Sequence, residues 1–282
     1  MLKVFLIVLV IIILVAAGSI ATGKILFERK INREVTDLFK NTKQVKAAII
    51  TEEELHGLPE PIQKYLRYAQ IIGKERIATV RLKQKGLFRT KPDQRWMDLE
   101  AEQYYTTRPP SFIWKAVIKV APLFSIAGRD RFENGKGHML IKLLSLVTLA
   151  DEKSREMDQG AMQRYLGEMF WFPTAFLEDY IKWEPIDSRS ARATMTYKGV
   201  SAGAVFYFNE KDQAVKFVAD RYREMGGSYT MEKWSTPVYE YKEMNRIKIP
   251  VKGEAIWNLK TGDFSYIQLE IVDIEYNIPS GY

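Results

Sequence analysis

From Val4 to Ala17 every residue is apolar, and no charge appears until Lys24, beyond Gly18, Ser19, Ile20, Ala21, Thr22 and Gly23. Wound as a helix, this stretch covers about 30 Å, the hydrocarbon thickness of a bilayer. A surface helix of a soluble domain keeps a polar face, and this one has none. Residues 1–23 are therefore expected to form a transmembrane signal anchor. A cleaved signal peptide is the competing reading, because Lys3 supplies a basic leader and Ser19-Ile20-Ala21 is a small-residue cleavage pattern. Gly18 to Lys24 also spells G-x-x-x-x-G-K. Ile25, however, stands where a phosphate loop needs Ser or Thr for Mg²⁺, and no sheet strand precedes it.

The flanking charges set an orientation problem. Only Lys3 and the amino terminus precede the apolar run, whereas Lys24, Arg29, Lys30 and Arg33 follow it. Positive-inside counting would put the main domain in the cytoplasm, although long domains cross membranes largely regardless of charge. Phe27, Ile31, Val35 and Leu38 then recur at helical spacing among charged residues. An amphipathic stalk packed on the domain is expected over residues 24–56.

The rest, residues 57–282, is long enough for one β-rich domain with its own core. With no cysteine among 282 residues, disulfides, thiol nucleophiles and cysteine-held metals are excluded. The net charge of +7 is spread among acids without a run of five basic residues, so nucleic acid is not an expected partner.

Thr51 and Glu54 have capping-box spacing, with Gly57 to end the turn, and Pro61 suits the start of a helix near 60–72 that Gly73 closes. From Arg76 the period becomes two. Val80, Leu82, Gln84, Gly86 and Phe88 share one face of a strand, and Met97, Leu99 and Ala101 share one face of the next. With a loop over Thr90–Gln94 the charged outer faces would pair Lys85 with Asp98, Lys83 with Glu100 and Arg81 with Glu102, each contributing about 0.2–1 kcal/mol.

Alternation continues through Phe112–Val120, Ile126–Phe132 and His138–Leu144, the last two around an Asn134-Gly135 hairpin turn. A helix near 158–172 follows, with Asp158 as its expected N-cap and Pro173 as its stop. Strand-like alternation returns at Ala191–Tyr197, Ala204–Phe208 and Ile267–Ile271. The fold class read from this order is α+β, mainly antiparallel, with two strand runs around a central helix forming halves of one curved sheet.

Chemistry-bearing patterns are sparse. His56 and His138 are the two histidines and have no metal-ligand spacing, so no metal is expected. Neither a nucleophile elbow nor a dinucleotide fingerprint occurs, and no cofactor is expected. A hydrolase needs only two opposed acids; among 35 acids, Asp130, Glu168 and Asp179 stand beside aromatic or apolar neighbours. The aromatic bunch Met169, Phe170, Trp171, Phe172 and Phe176 around Pro173 must be buried, either filling the concave side of a sheet or lining a hydrophobic cavity.

The segments LPEPIQKYLRYA, WMDLEAEQYYTTRPPSFIWKA, GRDRFENGKGHMLIKLLSLV, GEMFWFPTAFL, WEPIDSRSARATMTYKGV and WSTPVYEYKEM resemble those of a bacterial protein family of unknown function, whose members usually carry one N-terminal membrane segment. In element order the chain is also similar to the half-barrel of periplasmic lipoprotein carriers, where a curved antiparallel sheet wraps apolar helices and holds acyl chains. That resemblance implies an extracytoplasmic half-barrel binding a lipid or other hydrophobic ligand. It carries no functional residue over by position; the cavity residues expected from this sequence are Trp114, Arg129, Trp171 and Phe172. Two alternatives stay open: a structural or interaction protein of the envelope with a filled core, and a hydrolase with paired carboxylates. Oligomeric state is not read from these patterns.

Overall fold

The computed structural model describes residues 1–42 and 48–282. One helix, α1 (Leu2–Lys40), runs unbroken through the apolar run and the amphipathic stretch. Its first five turns are exposed, but Phe27, Ile31, Val35, Leu38 and Phe39 are buried. Their spacing of three to four residues lays them on one helix face, and that face seats α1 on the rest of the protein. Part of the expected stalk, residues 43–47, lies outside the described residues. Thr51 N–H donates to Glu54 Oε1, one arm of the capping box, at a 3₁₀ turn over Glu53–Leu55. Helix α2 (Glu60–Tyr68) is shorter than expected. Gln70 (φ 62°) and Gly73 (φ 75°) take left-handed conformations and end the helical path early.

Six strands follow: β1 (Thr79–Phe88), β2 (Met97–Thr107), β3 (Pro110–Ala121), β4 (Phe124–Glu133), β5 (Lys136–Leu143) and β6 (Val147–Glu152). Helix α3 (Arg155–Glu168) and two 3₁₀ turns, Met169–Trp171 and Pro173–Leu177, interrupt them. Seven more strands complete the chain: β7 (Ile181–Asp187), β8 (Ser190–Tyr197), β9 (Val200–Phe208), β10 (Ala214–Met225), β11 (Ser228–Met244), β12 (Ile247–Leu259) and β13 (Gly262–Tyr276). All lie in one sheet of 13 strands, ordered β6-β5-β4-β3-β2-β1-β13-β12-β11-β10-β9-β8-β7.

The two runs are therefore halves of one sheet, joined where β1 pairs antiparallel with β13. Twist accumulating over so many strands curls a sheet. Here it makes a half-barrel with α3 in its concavity, touching β3, β4 and β5 on one side and β9 and β10 on the other.

The β1–β2 register corrects the expected one by two residues. Lys85 faces Glu100, Lys83 faces Glu102 and Arg81 faces Tyr104. Because the side-chain period is two, this slip keeps every residue on its expected face. The connection is longer than Thr90–Gln94, running over residues 89–96 and tightened by Gln94, whose Oε1 accepts from Thr90 N–H at 2.7 Å. Arg81 finds its acid elsewhere, donating to Glu275 on β13 at 2.7 Å. The β4–β5 turn forms as expected, with Asn134 (φ 53°) and Gly135 (φ 77°) both left-handed.

Helix α3 is capped by Ser154, whose Oγ accepts from Met157 N–H at 3.0 Å, and not by Asp158. Asp158 lies one turn in, where it accepts from Gly137 N–H and Lys136 Nζ, each at 2.8 Å. It thus fastens α3 to the β4–β5 hairpin.

The alternation of the strands sorts two cores. The concave face contributes Leu82, Leu99, Phe112, Ala193, Phe206 and their neighbours to the main core around α3. The convex face contributes Tyr104, Ile113, Ala127 and Leu140, which the buried stripe of α1 covers.

Candidate functional site

The aromatic bunch after α3 fills the middle of the concavity. Phe172 is fully buried, with its ring 4.7 Å from that of Tyr105 and 5.6 Å from that of Tyr165. Trp171 is partly buried at the edge of the same core, and its carbonyl accepts from Tyr276 Oη. Trp114, on the concave face of β3, donates from Nε1 to Gln84 Oε1 at 2.9 Å. These three of the four expected cavity residues share the concave side, in contacts that fill it. Arg129 does not join them. One position along β4 from Asp130, it points to the convex face beneath α1. There it pairs with Glu34 at 3.2 Å and donates to the carbonyl oxygen of His138.

Beside Trp114 the sequence reading missed an ionic hub. Arg164 on α3 donates to Asp130 at 2.7 Å and to Glu168 at 2.8 Å, and its guanidinium lies 4.7 Å from the Trp114 ring. Glu168 also accepts from Gln103 at 2.8 Å and Tyr105 at 2.9 Å. Burial pushes the Glu168 carboxyl above its ordinary range, against the pull of these donors. Asp130 and Glu168 are thus brought together, but as the two anions of one cation. Asp179 is exposed and apart from them. The Arg164/Glu168 spacing of four residues was readable as a helical ion pair; that the pair points inward was not.

Further along the concave wall the cations lose their partners. Arg221 on β10 lies 4.3 Å over the Trp234 ring and against Gly160 of α3, 3.3 Å from where a Cβ would stand. Among the described residues it has no carboxylate at ion-pair distance, and burial holds its guanidinium below the ordinary arginine range. Trp234 donates from Nε1 to Tyr266 Oη at 3.1 Å, and Tyr266 stacks with Trp257, 6.2 Å between centroids. Arg223 approaches Trp257 at 5.8 Å. Three aromatic rings and two arginines therefore line the wall from α3 toward the β10–β11 and β12–β13 turns.

Other polar clusters have structural roles. Glu178, its side chain fully buried, binds Arg76 and Arg108 where the 3₁₀ turns meet the start of β1. His138 contacts Asp151 through Nε2 at 2.6 Å and Arg129 through Nδ1 at 3.0 Å, under α1. His56 follows the Glu53–Leu55 turn as an exposed residue. Among the described residues no group of three or more His, Asp or Glu side chains is placed to hold a metal.

These features define a class: an α+β half-barrel behind a long apolar helix. Residues 48–269 match the family described as "Family of unknown function (DUF6544)", and the chain belongs to it. No curated protein matches the chain. Among solved structures it is similar to a LolA superfamily protein from Nitrosomonas europaea, at 12% identity and a TM-score of 0.38, over 77% of this chain and 94% of that one.

Proposed function

We propose that this is a single-pass membrane-anchored binding protein whose half-barrel carries a lipid or another hydrophobic ligand with an acidic group. In this reading residues 1–23 are the anchor, 24–56 the stalk and 57–282 the binding domain. Arg221 carries the reading. A half-buried guanidinium on an aromatic wall, with no carboxylate at ion-pair distance among the described residues, is a desolvated cation that an acidic headgroup would complete. The neighbouring rings of Trp234, Tyr266 and Trp257 supply apolar contact of the kind ligand sites use. The site thus sits on the β10–β13 wall instead of at Trp171 and Phe172.

Native mass spectrometry of the full chain, gently extracted in detergent, tests this. A stoichiometric acidic lipid that is lost in Arg221→Gln supports it. Protein that carries no lipid in either form overturns it. A second reading, a structural or interaction protein of the envelope, draws on the complete burial of Phe172 and the capping of Trp114 by Arg164; the lipid-free result favours it. The similarity in element order to periplasmic lipoprotein carriers supports placing the half-barrel outside the cytoplasm. Protease added to spheroplasts would then degrade it, and full protection would reverse the placement.

A further inference from the structure

One edge of the sheet carries an apolar rim that no protein segment covers among the described residues. Leu123, at the β3–β4 tip, is 85% exposed, and Phe124 beside it is 51% exposed. Leu146 and Val147, at the β5–β6 turn, are 44% and 55% exposed. The two tips are neighbours, since Leu144 N–H donates to the Ser125 carbonyl oxygen at 2.8 Å. A cleft of about 850 Å³ separates the β3–β4 tip from the β1–β2 loop, where Trp96 and Met97 line it.

Helix α1 fixes what this rim meets. Its uncharged part, Val4 to Gly23, is about 30 Å long, enough to cross the hydrocarbon of a bilayer once. The boundary therefore falls at Gly23 and Lys24. Gly23 packs directly on the β5–β6 turn: a Cβ there would stand 3.1 Å from a Leu146 methyl and 3.2 Å from the Ser145 carbonyl oxygen. So the level at which the helix leaves the apolar phase is the level of the rim. Beyond Gly23, Ile25 and Leu26 are still 51% and 60% exposed, as residues at an interface would be. Around the rim stand Lys24, Arg95 and Lys142, cations suited to lipid phosphate, with Lys119 paired to Glu100 at 2.8 Å, and Trp96, a residue type favoured at the headgroup level.

We infer that the β3–β4 and β5–β6 tips of the half-barrel insert into the lipid surface beside α1, so that the half-barrel is held with this edge on the bilayer. This rests on the reading of α1 as an anchor. The β10–β11 and β12–β13 turns, next to the Arg221 wall, close the same edge of the sheet. Insertion would thus present the proposed ligand wall to the membrane from which an acidic lipid would come.

The absence of cysteine makes single-site labelling direct. The full chain is reconstituted in phosphatidylcholine and phosphatidylglycerol vesicles carrying either shallow or deep nitroxide lipids. An environment-sensitive fluorophore is placed in turn at Leu123→Cys, Leu146→Cys, Val10→Cys and, on the opposite sheet edge, Asn134→Cys. The inference expects blue-shifted emission and loss of signal to shallow quencher at Leu123→Cys and Leu146→Cys, loss to deep quencher at Val10→Cys, and no loss at Asn134→Cys. Quenching at Val10→Cys alone overturns the rim insertion and leaves the anchor standing. Quenching at neither Val10→Cys nor the rim overturns both. Blue-shifted rim labels that no lipid quencher reaches, and that revert on protein dilution, overturn it in favour of a second copy of the chain covering the rim.

Discussion

Removing the Arg164 guanidinium should reveal how the concavity is held together. Arg164 is the only cation bonded to Asp130 or Glu168 among the described residues, and all three side chains are at most 15% exposed. Arg164→Gln leaves two largely buried carboxyls without a counter-charge, a change that costs about 3–5 kcal/mol when one partner of a buried pair is lost. The lost stacking on Trp114 and Phe112 adds about 0.5–2 kcal/mol at most. The ionic effect therefore dominates, and it should depend on pH. Burial already raises Glu168 above its ordinary 4.5, and Arg164 pulls it back down; without Arg164 it rises further. A carboxyl whose folded pKa exceeds its unfolded one binds extra protons in the folded state between the two values, so stability falls as pH rises through that window.

The deficit of Arg164→Gln relative to the wild type should thus be largest near neutrality and shrink on acidification toward 4.5. Urea unfolding of the detergent-solubilised full chain, followed by tryptophan fluorescence, measures it. In the double variant Arg164→Gln/Glu168→Gln the two losses should fall short of additivity by about 0.5–3 kcal/mol. A loss below about 1 kcal/mol, of the size of an exposed pair, would refute the buried-hub argument. So would strict additivity.

Three further outcomes follow from other contacts. Gly137→Ala should destabilise by about 1–3 kcal/mol in the same urea assay, because its Cβ would stand 2.8 Å from the Met157 carbonyl carbon and 3.0 Å from Ala161 Cβ; Gly203→Ala, with 3.6 Å to its nearest atom, should be close to neutral. Burial, helped by Arg129 and Lys153 and opposed by Asp151, holds His138 below 6.5. The unfolded chain then binds the extra proton, so stability should decline as pH falls below 6.5, and thermal melts of His138→Gln should show a flatter slope there. Ile31→Ala, at a fully buried position of α1, should weaken the seating of that helix by about 2–5 kcal/mol. Faster hydrogen exchange over residues 24–40, with the β1–β3 amides unchanged, would register that loss.

Much of the architecture was legible because it depends on short-range periodicity. The apolar run announced α1, and the stripe Phe27, Ile31, Val35 and Leu38 announced the face that packs. Period-two alternation marked β1–β5, β8, β9 and part of β13, and Asn134-Gly135 marked a turn by the left-handed backbone it tolerates. Where local rules offered two solutions the sequence reading missed. Asp158 and Ser154 are both good caps, and the choice of Ser154 follows from Asp158 being occupied by Gly137 and Lys136 of a distant hairpin. The two-residue slip of β1 on β2 kept the buried faces intact, so only the loop geometry could specify it.

The candidate site was less legible still. Arg129 and Asp130 are adjacent in the chain and lie on opposite faces of the sheet, one under α1 and the other at Arg164. Arg221, Trp234 and Tyr266 come from three different strands and carry no common motif. By itself the sequence determined the elements, the apolar helix and which side of each strand is greasy, because these are written in residues a few positions apart. Only the tertiary structure decided that β1 meets β13, that α3 fills the resulting concavity, and which arginine is neutralised and which is left on an aromatic wall. Those outcomes depend on the sheet's accumulated twist bringing together side chains far apart in the chain, and no local pattern encodes that distance.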